Sequence, residues 1–131
     1  MKVNDYVKTK YGISKIISNP NTNKFNIDIF KKDGITLRCI RQKDIIKSSP
    51  KIIDLVEYMD LIWVKNPIKL YGKGIEVSLF NPVRCDGFTT FEDGTHCIIL
   101  NLDYIIDIKD LKIKGIITHE QIESMEYKVK E

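Results

Sequence analysis

From Lys24 onward the chain alternates: Phe25, Ile27 and Ile29 are separated by Asn26 and Asp28, and Asp33-Gly34 follows a few residues later. A period of two puts the three apolar side chains on one face of a strand, and Asp-Gly is a pair that turns a strand back onto an antiparallel neighbour. This stretch therefore predicts a β-hairpin with one buried face. In its second strand Ile35, Leu37 and Cys39 are expected to continue the apolar face, with Thr36 and Arg38 pointing the other way.

Residues 2–18 read as two further short strands broken at Gly12, and Asn19 to Asn23 as a loop of turn-forming residues. Four short strands around one small core are most simply closed into an SH3-like barrel, because closure hides strand edges. Residues 1–49 are expected to form that barrel. The absence of Ala and the presence of 23 Ile point the same way, since Ala favours helix and β-branched Ile favours the pleated surface.

Lys47-Ser48-Ser49-Pro50-Lys51 breaks the pattern and marks a junction. The following IIDLVEYM is read as an extended connector in preference to a helical turn started by Pro50. Residues 50–131 then form a second small β unit with a C-terminal helix, although 131 residues also suit one compact domain. Its strand signals are DLIWV, a segment with Ile75, Val77 and Leu79 alternating, and a hairpin at Asp93-Gly94 joining FTTF to THCIIL. YIIDIKDLKIKGII stays ambiguous between strands and irregular structure. Thr118 and Gln121 make a capping box for the helix, with Ile122, Met125 and Val129 as its apolar stripe and Glu120, Glu123 and Glu126 outward. The fold expected is thus mainly β, ending in one short α-helix.

Charge is unevenly divided: residues 1–51 hold 12 Lys/Arg against 4 Asp/Glu, and residues 52–131 hold 9 against 14. A basic first half can attract phosphates, and an acidic second half repels them. Lys8, Lys10, Tyr11, Lys31, Lys32, Arg38, Arg41 and Lys43 are the candidate nucleic-acid contacts. Against that reading, most of these are Lys, which lacks the planar fork of Arg. Candidate protein-binding residues are Tyr58, Trp63, Tyr71 and Phe88, with Ile122 and Met125 of the helix, because aromatic anchors dominate interface energetics. Phe80 and Phe91 belong to the same set, while Trp63 sits in an apolar run that favours burial.

An enzyme needs a nucleophile with a base, paired carboxylates or closely spaced metal ligands. The sequence offers none in that spacing, so the chain is expected to be no enzyme and to use no metal or cofactor. His96-Cys97 with Cys85 and Asp86 lacks the close pairing of zinc ligands. Asp103, Asp107 and Asp110 read as solvated acids between apolar residues, and His119 as a first-turn helix residue. Gly72-Lys73-Gly74 lacks the spacing of a phosphate loop. Cys39, Cys85 and Cys97, without a CxxC pair, suit buried free thiols in a reducing cytoplasm. No apolar run resembles a signal peptide or a membrane span, so a cytoplasmic location and no membrane contact are expected.

Three stretches, KVNDYVKTKYGI at 2–13, KSSPKIIDLVE at 47–57 and GIITHEQIESMEYKV at 115–129, resemble a family of small proteins from phages and prophages of clostridia and related low-GC Gram-positive bacteria. Asn4 stands where that pattern has Gly, and residues 58–72 depart from it. The resemblance implies a phage or prophage product in a bacterial cytoplasm and brings no catalytic or binding residues with it. With the absence of catalytic spacing, the expected function is a non-enzymatic interaction protein that binds and modulates a host component, for example a host-defence inhibitor of the anti-CRISPR type. The alternative is a nucleic-acid-binding accessory protein that acts through the basic barrel.

Overall fold

The computed structural model describes residues 1–31 and 33–130, the last six by backbone alone. Lys32 therefore lies outside the described residues, as do the side chains of Met125 and Val129. The chain divides into two compact units, residues 1–56 with 120–131, and residues 57–119.

In the first unit, β1 (Tyr6–Thr9), β2 (Gly12–Asn21), β3 (Lys24–Lys31), β4 (Gly34–Arg41) and β5 (Lys47–Ser49) form one antiparallel sheet in the order β4-β3-β2-β1-β5. A 3-10 turn at Gln42–Asp44 carries the chain from β4 toward β5. Hydrogen bonding leaves β4 and β5 as the two edges, so the expected barrel is not closed; the pairings form an open sheet. The Asn19–Asn23 cluster is not all loop either, since β2 extends through Asn21, and Asn23 N–H donates to the Asn21 side chain at 2.9 Å.

Phe25, Ile27 and Ile29 are buried as their alternation predicts, and they pack with Val7, Ile16 and Ile40. The expectation for β4 is overturned. Ile35 and Leu37 are 66% and 65% exposed, Cys39 is exposed, and Ile40 is the buried residue. The reason is register. Gly34 pairs with Lys31, so each odd-numbered residue of β3 faces an even-numbered residue of β4: Phe25 opposite Ile40, Ile27 opposite Arg38, Ile29 opposite Thr36. Paired residues share a face, and a slip of one would invert it.

Ile52–Leu55 is a single 3-10 turn where an extended connector was expected. Ser49 Oγ accepts from Lys51 N–H at 3.1 Å and donates to Asp54 at 2.6 Å, which ties the turn to the end of β5. The turn buries Leu55 beside the following Val56.

The second unit contains β6 (Leu61–Val64), β7 (Ile68–Lys69), β8 (Glu76–Val77), β9 (Val83–Thr90), β10 (His96–Leu100), β11 (Tyr104–Asp107) and β12 (Ile113–Ile117). Five of these make a sheet in the order β11-β10-β9-β6-β12, and β7 pairs with β8 alone. The hairpin at Asp93-Gly94 is present, with Thr90 opposite His96. Gly94 takes φ +85° there, which glycine adopts without a Cβ penalty. The alternating 75–79 segment is shorter than expected: only Glu76–Val77 is strand, Ile75 is 52% exposed, and Leu79 is buried. The ambiguous run resolves into β11, a 3-10 turn at Ile108–Asp110, and β12.

α1 (His119–Lys130) begins directly after Thr118, where the capping pattern places its start. Gln121 Nε2 donates to the Tyr11 carbonyl at 3.1 Å, and Glu120 pairs with Lys8 at 3.1 Å. The start of the helix is therefore tied to β1 and the turn that follows it.

Candidate functional site

The predicted nucleic-acid residues separate. Tyr11 follows β1, and Arg38 reaches it from β4: Arg38 Nη1 donates to Tyr11 Oη at 2.9 Å, with the guanidinium carbon 4.2 Å from the ring centroid. Lys10 Nζ lies 5.2 Å from the same ring, so two cations share one aromatic quadrupole. Arg41 and Lys43 line an open pocket with Asn23, Lys24 and Gln42. Lys24 and Arg41 meet because they are opposite in the β3–β4 register, at the end of the hairpin away from Lys31. Lys8 leaves the set: it is buried, and its ammonium is paired with Glu120.

Of the predicted protein-binding residues, Tyr58 is 62% exposed, Phe88 is 45% exposed, and Trp63 and Ile122 are half-buried. Tyr71 stacks on Phe91 with ring centroids 4.6 Å apart, so part of its face is already covered. Its hydroxyl donates to Asp93 at 3.1 Å. Asp93 also accepts the Thr95 N–H, and these bonds, that from Thr95 foremost, hold its carboxyl below the usual range.

The most exposed aromatic of the second unit is Phe80, at 97%. Its backbone is fixed on both sides. Asn66 accepts from Leu79 N–H at 2.9 Å and donates to Leu79 C=O at 2.8 Å, while Asn81 accepts from Val64 N–H at 2.8 Å and donates to Val64 C=O at 2.9 Å. The two amides thus form a reciprocal clasp, each satisfying both polar groups of a buried residue next to the other segment. The signal is legible as a repeat, V-K-N-P at 64–67 and L-F-N-P at 79–82, in which both Asn–Pro bonds are cis. Lys65 and Phe80 occupy the same position in the two copies, and both are exposed.

Asn81→Ala is expected to cost roughly 2–3 kcal/mol, because two backbone groups of fully buried Val64 lose their partners at once. Asn81→Asp keeps an acceptor for Val64 N–H and loses the donor, so about half that loss is expected. Urea unfolding midpoints of the two variants check the ratio.

Asp60, fully buried, is the polar centre of the second unit. One carboxylate oxygen accepts from His119 N–H and lies 2.8 Å from His119 Nδ1, and the other accepts from Glu57 N–H at 2.8 Å. His119 does open α1 as expected, but its link to Asp60 could not be read from spacing, because 59 residues separate the two. Nearby, Cys85 N–H donates to the Asp60 carbonyl, and burial pushes the Cys85 thiol up, opposite to what a nucleophile needs. Burial also raises the Cys97 thiol.

Cys85 and Cys97 are buried free thiols as expected, whereas Cys39 is exposed because it lies on the outer face of β4. His96 is exposed and bonded to Thr90 Oγ1 at 2.9 Å. Asp103 is exposed, and Asp107 accepts from Lys109 N–H at the start of a 3-10 turn. These acids and His96 therefore serve local turns and strand pairs or face solvent.

The fold and these features define a mainly β protein of two units, one carrying basic–aromatic clusters and the other a clasped, exposed phenylalanine. No family model matches the chain, and no match arises among curated proteins or solved structures. Among the described residues no helix is long and apolar enough to cross a membrane.

Proposed function

We propose that the chain is a non-enzymatic interaction protein of a phage or prophage that acts in the bacterial cytoplasm by binding and modulating a host protein. Inhibition of a defence system is one action of this kind. The observation that carries the reading is Phe80. A phenylalanine at 97% exposure has no role in its own core, and the clasp has already ordered the backbone that presents it. Burying such a ring in a partner's apolar pocket contributes about 1.5–3 kcal/mol, with little further loss of backbone freedom.

The test compares wild-type and Phe80→Ala baits in a clostridial lysate. A host protein retained by wild type and lost by Phe80→Ala, with both baits equally stable, supports the reading. A partner retained equally by both removes Phe80 as the anchor.

A second reading has its own observation, the Lys10–Tyr11–Arg38 cluster together with Lys24, Arg41 and Lys43. In it the first unit is an SH3-like module that contacts nucleic-acid phosphates. The strand order β4-β3-β2-β1-β5, with a 3-10 turn between β4 and β5, supports the SH3-like assignment. Arg38→Ala and Arg41→Ala should then weaken binding to short DNA and RNA probes, and affinity should fall steeply as salt rises from about 50 mM. No binding at that salt rejects it.

A further inference from the structure

β4 is an edge strand with few of the usual protections. Edges are commonly blunted by proline, by a bulge, by charged side chains or by great shortness. β4 runs for eight residues in unbroken register with β3, contains no proline, carries its two charges, Arg38 and Arg41, at its C-terminal half, and turns only Ile35, Leu37 and Cys39 outward between Gly34 and Ile40 on the face away from the core. Among the described residues no other element pairs with its outer side.

The direction of its free backbone groups follows from the hairpin. Lys31 and Gly34 close the loop as a paired couple, and in an antiparallel ladder every second residue points its N–H and C=O away from the partner. Those residues are Ile35, Leu37, Cys39 and Arg41. Arg41 N–H agrees, since it turns away from β3 to Asp44 at 3.4 Å.

We propose that β4 pairs with β4 of a second copy of this chain, antiparallel, with Leu37 on the two-fold axis. The strand's own sequence selects both occupant and register. With Leu37 opposite Leu37, Ile35 faces Cys39 of the other copy, so the outward residues form apolar pairs. Arg38 then faces Thr36, and Arg41 lies at the level of the turn residue Asp33, which brings opposite charges to the end of the pair. Neighbouring registers are poorer. Placing Arg38 on the axis sets it against its own copy, and placing Thr36 there overlaps only residues 34–38 of the two strands, because β4 begins at Gly34. Like charges directly opposite destabilise a strand pair. The pairing joins the two five-stranded sheets into one and makes their outer apolar faces continuous.

Sedimentation velocity of the full chain over a concentration series tests the state. The expected result is an apparent mass that doubles as concentration rises, returned to the monomer value by Leu37→Lys with unchanged circular dichroism and thermal midpoint. Register is tested separately. Ile35→Cys should form a disulfide with the native Cys39 of the other copy, because paired Cα atoms about 5.5 Å apart fall within the roughly 4.4–6.8 Å that a disulfide spans. That covalent dimer should be lost in Ile35→Cys/Cys39→Ser. A chain that stays monomeric at its highest soluble concentration overturns the proposal. So does a dimer indifferent to Leu37→Lys, or one in which Ile35→Cys adds no cross-link.

Discussion

Replacing Asp60 with Ala is expected to lower stability by about 3 kcal/mol, because buried donors left without an acceptor cost about 1–3 kcal/mol each. The carboxylate receives the N–H groups of Glu57 and His119 and also the His119 ring, and water has no access to a side chain at 0% exposure. Asp60→Asn has nearly the same shape but presents an NH₂ to at least one of those N–H groups, so roughly half the loss is expected. Both values come from urea unfolding of the full chain, and an unchanged m-value would place the effect in the native state. A loss below about 1 kcal/mol in Asp60→Ala would mean that the freed donors find other partners.

Ile27→Ala is expected to cost about 2–5 kcal/mol, whereas Leu37→Ala, ten residues later on the adjacent strand, should fall within about 0.5 kcal/mol of wild type. Ile27 is fully buried among Ile16, Phe25, Ile29 and Ile40, so truncation leaves a cavity that neighbouring side chains only partly fill. Leu37 is 65% exposed on the opposite face of the sheet, and its truncation empties nothing. Thermal or urea unfolding at a concentration where the chain is monomeric separates this effect from any pairing through β4. Equal losses at the two positions would contradict the register in which Phe25 faces Ile40.

Much of the fold is legible in local patterns. The burial of Phe25, Ile27 and Ile29 follows from alternation, the β9–β10 hairpin from Asp93-Gly94, and the start of α1 from Thr118 and Gln121. The face of β4 was also within reach. A hairpin that pairs Lys31 with Gly34 sets odd positions against even ones, so Ile40 and not Cys39 continues the Phe25 face, against the apolar alternation of 35, 37 and 39. The Asn66 and Asn81 clasp left a visible trace in the paired N-P motifs, but nothing local says that one amide would reach the backbone beside the other.

The candidate sites divide along the same line. A basic first half and a set of aromatic anchors are properties of composition, and the residue types alone suggest phosphates or protein partners. Packing decides which of them are exposed and which are held by other residues. Lys8 is removed by Glu120, at a separation of 112 residues, while Tyr11 collects Lys10 and Arg38, and Phe80 is left bare. By itself the sequence determined the β3–β4 and β9–β10 hairpins and the start of the helix, because backbone propensity and alternation act over a few residues. Only the tertiary structure decided which edge stays open and which polar groups meet. Those outcomes depend on register and on contacts between residues far apart in the chain, where a shift of one position exchanges a buried face for an exposed one.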